Sequence, residues 1–164
     1  MIASESLRPA GTLDMNGLRC WVREQLPARL AQGRRVVLLI LDVDDLRALY
    51  RRFGERRSDE ILSKWVHLVR TSLQPTDLVT RVRHDQLALV LDRDRLPDVE
   101  SLLCTLRRAV REGLSDRELE FSAGFVRWKA SMELEPALLL AERRMLEARQ
   151  YWRAMFQPVQ PLLH

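Results

Sequence analysis

The chain has 164 residues, 46 % of them hydrophobic and 30 % charged, enough for one domain with a buried core. Its longest purely apolar run, Val36 to Leu41, is far too short to cross a bilayer, and MIASESLRPAG at the start has no basic segment leading into an apolar one. Cys20 and Cys104 fit no metal or redox spacing, so the expectation is a chain in a reducing cytoplasm, off the membrane. The net charge is +4, from 27 basic and 23 acidic residues, and only Lys64 and Lys129 are lysine. The arginines are interleaved with acids, and RRFGERR (Arg51 to Arg57) is the densest group. This pattern reads as solvated helix faces, and nucleic-acid binding is not expected.

Residues 1–14 read as a tail. Asn16 to Ala31 places Leu18, Trp21, Val22 and Leu26 near helical spacing, with Pro27 as a break. Arg35 to Val43 reads as a strand buried on both faces, Asp44 to Phe53 as a short helix, and Gly54 as a turn. Ser58 to Leu73 is an amphipathic helix with Ile61, Leu62, Trp65, Val66, Leu68 and Val69 on its buried side. Asp77 to Val82 and Leu87 to Leu91 form a hairpin whose tip holds no glycine, although tight turns favour one. Pro97 to Glu112 is a helix with proline in its first turn, and Leu119 to Trp128 is a strand. Pro136 to about Trp152 is a helix through Leu139, Leu140, Met145, Leu146 and Ala148, and Arg153 to Val159 reads as a last edge strand. The expected fold class is α+β, with helices on a mixed sheet that contains a central hairpin.

Four segments follow a family pattern in order and spacing: LLILDVDDLRALYRRFGERRSDEIL, DLVTRVRHDQLALVL, LEFSAGF and LLLAERRMLEARQYWR. They resemble the GGDEF domain of bacterial diguanylate cyclases, from about Met15 to the C-terminal helix, and imply a single domain over residues 15–160. The resemblance implies a fold like the palm of class III nucleotidyl cyclases. In that family two GTP molecules, one on each of two facing domains, are joined into cyclic di-GMP with the help of Mg²⁺.

Arg83-His84-Asp85-Gln86-Leu87 stands where the family has its Gly-Gly-Asp-Glu-Phe. The resemblance makes Asp42 and Asp85 the two metal carboxylates. Arg83 and His84 replace glycines that let the nucleotide approach the backbone, and Gln86 cannot supply the negative charge of the usual glutamate. Asp44 reads as a helix N-cap. The base-binding Asn is Tyr50, which lacks the paired donor and acceptor of an amide and also reads as a packing residue, while its partner Asp59 is kept. Arg149, Arg153 and Arg47 stand at the phosphate-gripping positions. Arg149 and Arg153 lie one helical turn apart, and a salt-bridged surface with Glu142 and Glu147 is the alternative. The product-inhibition site, Arg-x-x-Asp in the family, is Gln74 to Asp77 here, so cyclic di-GMP is not expected at the usual receptor site.

These substitutions lead to an expectation of no enzyme activity and no catalytic residue. The expected role is a protein-interaction or regulatory module of cyclic di-GMP-related signalling, in biofilm, motility or pilus control, whose partner is another protein. The alternative is a sensor of Mg–GTP or Mg–ATP without cyclase activity, the one case in which Mg²⁺ is expected. A final expectation concerns charge. Two converging carboxylates repel, so Arg83, helped by Arg149, is expected to lie against Asp42 or Asp85.

Overall fold

The computed structural model describes residues 11–115 and 118–156. In chain order these form β1 (Gly11–Leu13), α1 (Met15–Glu24), α2 (Leu26–Ala31), β2 (Arg35–Val43), α3 (Leu46–Thr71), β3 (Leu78–Arg83), β4 (Gln86–Arg93), α4 (Val99–Gly113), β5 (Phe121–Arg127) and α5 (Leu134–Phe156). The five strands make one mixed sheet in the order β1-β3-β4-β2-β5, parallel only between β1 and β3. This is the α+β arrangement read from the sequence, with helices on a mixed sheet that contains a central hairpin.

Strand alternation divides the core in two. Leu39, Leu41, Leu87, Leu89 and Leu91 point to one face and pack under Leu62, Trp65 and Val69 of α3 and Leu106 of α4. Leu38, Ile40, Ala88, Val90 and Val126 point to the other, against Leu18 of α1, Leu26 of α2 and Ala137, Ala141 and Met145 of α5. That double cover is why β2 reads as an unbroken apolar run.

Four details differ from the sequence reading. Residues 11–13 are not tail but a short edge strand, held by three register pairs with β3, and Asp14 caps α1 by accepting from the Gly17 amide at 2.6 Å. A three-residue strand carries too little periodicity to be seen in sequence. Residues 153–156 continue α5 rather than opening an edge strand, and the remainder of that assignment lies outside the described residues. On α5, Leu139 and Leu146 are exposed; the buried face runs through Leu134, Ala137, Ala141 and Met145. Small alanines there let the helix sit close to the sheet, so the larger leucines misled the pattern. The cap of α3 is Asp45, at φ 49°, accepting from the Ala48 amide at 3.1 Å, and not Asp44.

Gly54 holds φ 75° and ψ 172°, a conformation essentially confined to glycine, and bends α3 sharply there. Tyr50 and Asp59 are nine residues apart and would sit about 13.5 Å apart on opposite sides of an unbroken helix. The bend at Gly54 brings them into hydrogen-bond contact.

Candidate functional site

The β2, β4 and β5 ladders pair Asp42 with Gln86 on one side and with Ser122 on the other. Register partners share a face, so these three polar side chains form a row across the sheet, beyond the apolar row of Leu38 and Ile40. Arg149 comes down from α5 onto this row.

Its guanidinium spans both acids. Nη2 donates to Asp42 Oδ1 at 2.6 Å and to the Asp42 carbonyl at 3.2 Å, while Nε lies 2.7 Å from Asp44 Oδ1. Ser122 Oγ donates to Asp44 at 2.7 Å and accepts from Arg149 Nε at 3.3 Å. The other Asp42 oxygen accepts from Gln86 Nε2 at 3.0 Å. Burial works against the Arg149 charge, but the hydrogen bond to Asp42 and the charges of Asp44 and Asp42 outweigh it, and its pKa is raised. Arg149 is therefore a fixed cation between the two aspartates.

Gln86 reaches further. Its Nε2 also lies 3.2 Å from Glu142 Oε1, and Arg83 Nη2 lies 3.3 Å from the same oxygen. The hairpin tip is thus latched to α5 through Glu142. This corrects the expected placement of Arg83, which pairs with Glu142 and is mostly exposed, at 63 % of its side chain, instead of lying against Asp42 or Asp85. Arg149, expected only as the helper, is the cation that lies against Asp42, reaching it from α5. Arg149 and Arg153, read as facing one phosphate, are separated in the same way, because Arg149 is committed to the acids while Arg153 is exposed. The alternative, Arg149 and Arg153 salt-bridged to Glu142 and Glu147, is not what forms: Arg149 meets Asp42 and Asp44, Glu142 meets Arg83, and Glu147 lies 3.7 Å from Arg143.

Asp85 sits in the hairpin turn, half-buried, its carbonyl accepting from the Val43 amide at 2.9 Å. No hydrogen bond or ion pair engages its carboxylate among the described residues. Arg47 is exposed on the first turn of α3. Leu87 is fully buried in the core.

A second cluster lies on the bent helix. Tyr50 Oη donates to Asp59 Oδ1 at 2.8 Å, and His84 Nε2 lies 2.7 Å from Tyr50 Oη and 3.2 Å from the same Asp59 oxygen. The Tyr50 and His84 rings are stacked, 6.4 Å between centroids and 24° apart in plane. Because the phenol donates to Asp59, His84 Nε2 carries a hydrogen and donates to Tyr50. Burial and the Asp59 hydrogen bond raise the Tyr50 pKa and keep it a donor. The hydrogen bonds from Tyr50 and then His84 hold the Asp59 carboxyl below the usual carboxylate range. Ionised Asp59 thus contributes stability above the ordinary carboxylate pKa, and the contribution disappears as pH falls through the depressed value. In Tyr50→Phe, the Asp59 carboxyl is expected to titrate higher, nearer the ordinary carboxylate range, and NMR titration of that carboxyl checks it. An unmoved Asp59 would show that the phenol hydroxyl contributes nothing.

Asp77, read as the remnant of a degenerate product-inhibition site, is fully buried. It accepts a fork from Arg93, at 3.3 and 2.7 Å, and the Gln74 backbone amide at 2.9 Å. Nothing local in the sequence links Asp77 to Arg93, sixteen positions on. Ser122 and Arg93 are the participants that sequence reasoning missed, while Asp44 reads there only as a helix cap and Glu142 only as a partner for Arg149 and Arg153. Of these two, Ser122 had a signal, in the S-A-G of Ser122-Ala123-Gly124. Among the described residues no group of three or more His, Cys, Asp or Glu side chains is placed to hold a metal ion.

The family model for the diguanylate cyclase GGDEF domain matches residues 19–154. The chain belongs to the GGDEF family. No curated protein matches this GGDEF domain. Among solved structures it is similar to the diguanylate cyclase SiaD of Pseudomonas aeruginosa, in complex with its activator SiaC, at 23 % identity and TM-score 0.73. The match covers 84 % of this chain and 55 % of that one, so the domain spans about half of SiaD. It is also similar to the GGDEF domain of DgcB from Caulobacter crescentus, in complex with c-di-GMP, at 15 % identity and TM-score 0.73, over 93 % of this chain and 92 % of that one. The YfiN GGDEF domain of Pseudomonas aeruginosa matches at 17 % identity and TM-score 0.70, over 91 % and 90 % of the two chains. At these identities the likeness is one of fold. No helix among the described residues is long and apolar enough to cross a membrane.

Proposed function

We propose that this GGDEF domain, taken as one unit up to about residue 160, is catalytically inactive. In this reading it works as a protein-interaction or regulatory module of cyclic di-GMP-related signalling in the cytoplasm. The observation that carries the reading is Arg149 seated between Asp42 and Asp44. Mg²⁺ needs free carboxylate oxygens. Here one Asp42 oxygen takes a guanidinium and the other takes the Gln86 amide. The donor set therefore does not fit the metal that the family's chemistry uses, and RHDQL is a degenerate form of the motif.

Two further features support it. His84 stacks on Tyr50 and bonds Asp59, so the protein's own ring fills the surroundings of the one base-binding position it keeps. Asp77 is consumed by Arg93, which argues against cyclic di-GMP at Gln74 and Asp77. SiaD, a GGDEF protein seen with a protein activator, is a precedent for a protein partner. The test is calorimetry with GTP, ATP and cyclic di-GMP, with and without Mg²⁺, alongside a cyclase assay on GTP. No heat and no cyclic di-GMP are expected. Turnover of GTP would sink the proposal.

A second reading, an Mg–nucleotide sensor, is favoured by Asp85, whose carboxylate has no partner among the described residues, and by exposed Arg153 and Arg47. It requires Mg–GTP or Mg–ATP binding that is lost in Asp85→Ala.

A further inference from the structure

Three of the five large hydrophobic side chains exposed among the described residues lie on α5: Leu139 at 66 %, Leu146 at 45 % and Tyr151 at 63 %. Leu139 and Leu146 are seven residues apart. At 3.6 residues per turn they fall within about 20° of each other around the helix and about 10.5 Å apart along it. They point away from the sheet, opposite the buried alanines 137 and 141. A leucine stripe at this spacing is the seam by which one helix packs on another.

The charges on the stripe indicate what covers it. Glu142 and Arg143 occupy its middle, with Glu147 and Arg153 further along and Arg83 of the hairpin tip beside Glu142. The signs alternate, so a uniformly acidic or basic partner would meet like charge somewhere along it. The stripe is complementary to itself turned end for end. About a two-fold axis between residues 142 and 143, Leu139 meets Leu146 of a second copy, and Glu142 meets Arg143 of that copy.

We infer that α5 is a self-association surface, on which two copies of this chain pack antiparallel through Leu139 and Leu146. The contact is small against a standard interface, so the dimer forms at high concentration and dissociates on dilution. Its leucines lie on the outer face of α5, and it adjoins the Asp42–Arg149 contact only at Glu142, which accepts from Gln86. The inference is independent of the proposed inactivity, and the nucleotide and association experiments can fail separately.

Sedimentation of the full chain, from about 1 µM to about 1 mM, tests it. The mass is expected to rise with concentration from 19.2 kDa towards twice that value. Leu146→Glu, on an exposed position, is expected to weaken association at least tenfold while leaving the melting temperature within a few degrees. Disulfide trapping tests the geometry, in a background where exposed Cys20 and Cys104 are replaced by serine. Leu139→Cys and Leu146→Cys chains, mixed and oxidised, should link to each other and not each to itself. A chain that stays monomeric throughout overturns the proposal and leaves the stripe to a different protein. A dimer indifferent to Leu146→Glu, or a Leu139→Cys chain that links to itself, overturns it as well.

Discussion

Replacing Arg149 by methionine is expected to destabilise the domain by about 3–5 kcal/mol, the usual cost of removing one partner from a buried ion pair. The side chains of Arg149 and Asp42 are only 16 % and 12 % exposed, so water screens them poorly. Without the guanidinium, Asp42 and Asp44 face each other across Ser122 with no cation between them. Arg149→Lys is expected to recover only part of the loss, because one ammonium cannot fork across two carboxylates and the Asp42 carbonyl. Adding Asp42→Asn to Arg149→Met should cost less than the sum of the two single changes, since the charge left unpaired is then removed. Urea denaturation of the parent and the four variants, Asp42→Asn alone among them, measures all of this. The same variant offers a sharper test of the proposed inactivity. With Arg149 gone, Asp42 and Asp44 are free to take a divalent cation, so millimolar Mg²⁺ should raise the melting temperature of Arg149→Met and leave the parent unchanged. If Arg149→Met melts like the parent, or if both respond equally to Mg²⁺, the resident-cation account is wrong.

Gly124→Ala is expected to prevent α5 from seating on the sheet. A Cβ at this position would overlap the Ala141 carbonyl and the Met145 amide and lie 2.8 Å from Met145 Cα. These are backbone atoms, so no side-chain rotation relieves the overlap. The cost should exceed the ~1–3 kcal/mol typical of overpacking. A large fall in melting temperature, or loss of soluble protein, is the expected result. Met145→Ala should not rescue it, because truncating a side chain leaves the backbone in place. A rescued or unaffected protein would show that the helix can shift at little cost. The consequence reaches the site, since α5 carries both Arg149 and Glu142.

Some features were written in the sequence because they are local. The VVLLIL run, the period of Ser58 to Leu73 and the paired runs around residues 83–86 each bury their apolar groups in only one economical way, so strand, helix and hairpin followed from them. The identity of the hairpin-tip residues, and the absence of glycine there, were equally plain. The short strand at residues 11–13 was hidden because its pairing comes from β3, 67 residues away (Gly11 to Leu78). The buried face of α5 was misread because leucines outweigh alanines in a hydrophobic pattern, although close packing on Gly124 demands the alanines.

The fate of the charged residues was decided by tertiary structure alone. Asp42, Gln86 and Ser122 become neighbours only through strand register, and Arg149 reaches Asp42 from 107 positions further along the chain. Tyr50 meets Asp59 because Gly54 bends the helix, and Asp77 finds Arg93 at the open end of the β3–β4 hairpin. Sequence determined which charges this protein carries and which elements bear them. Whether a carboxylate faces a metal, water or an arginine is a matter of distances of a few ångströms, and packing alone sets those.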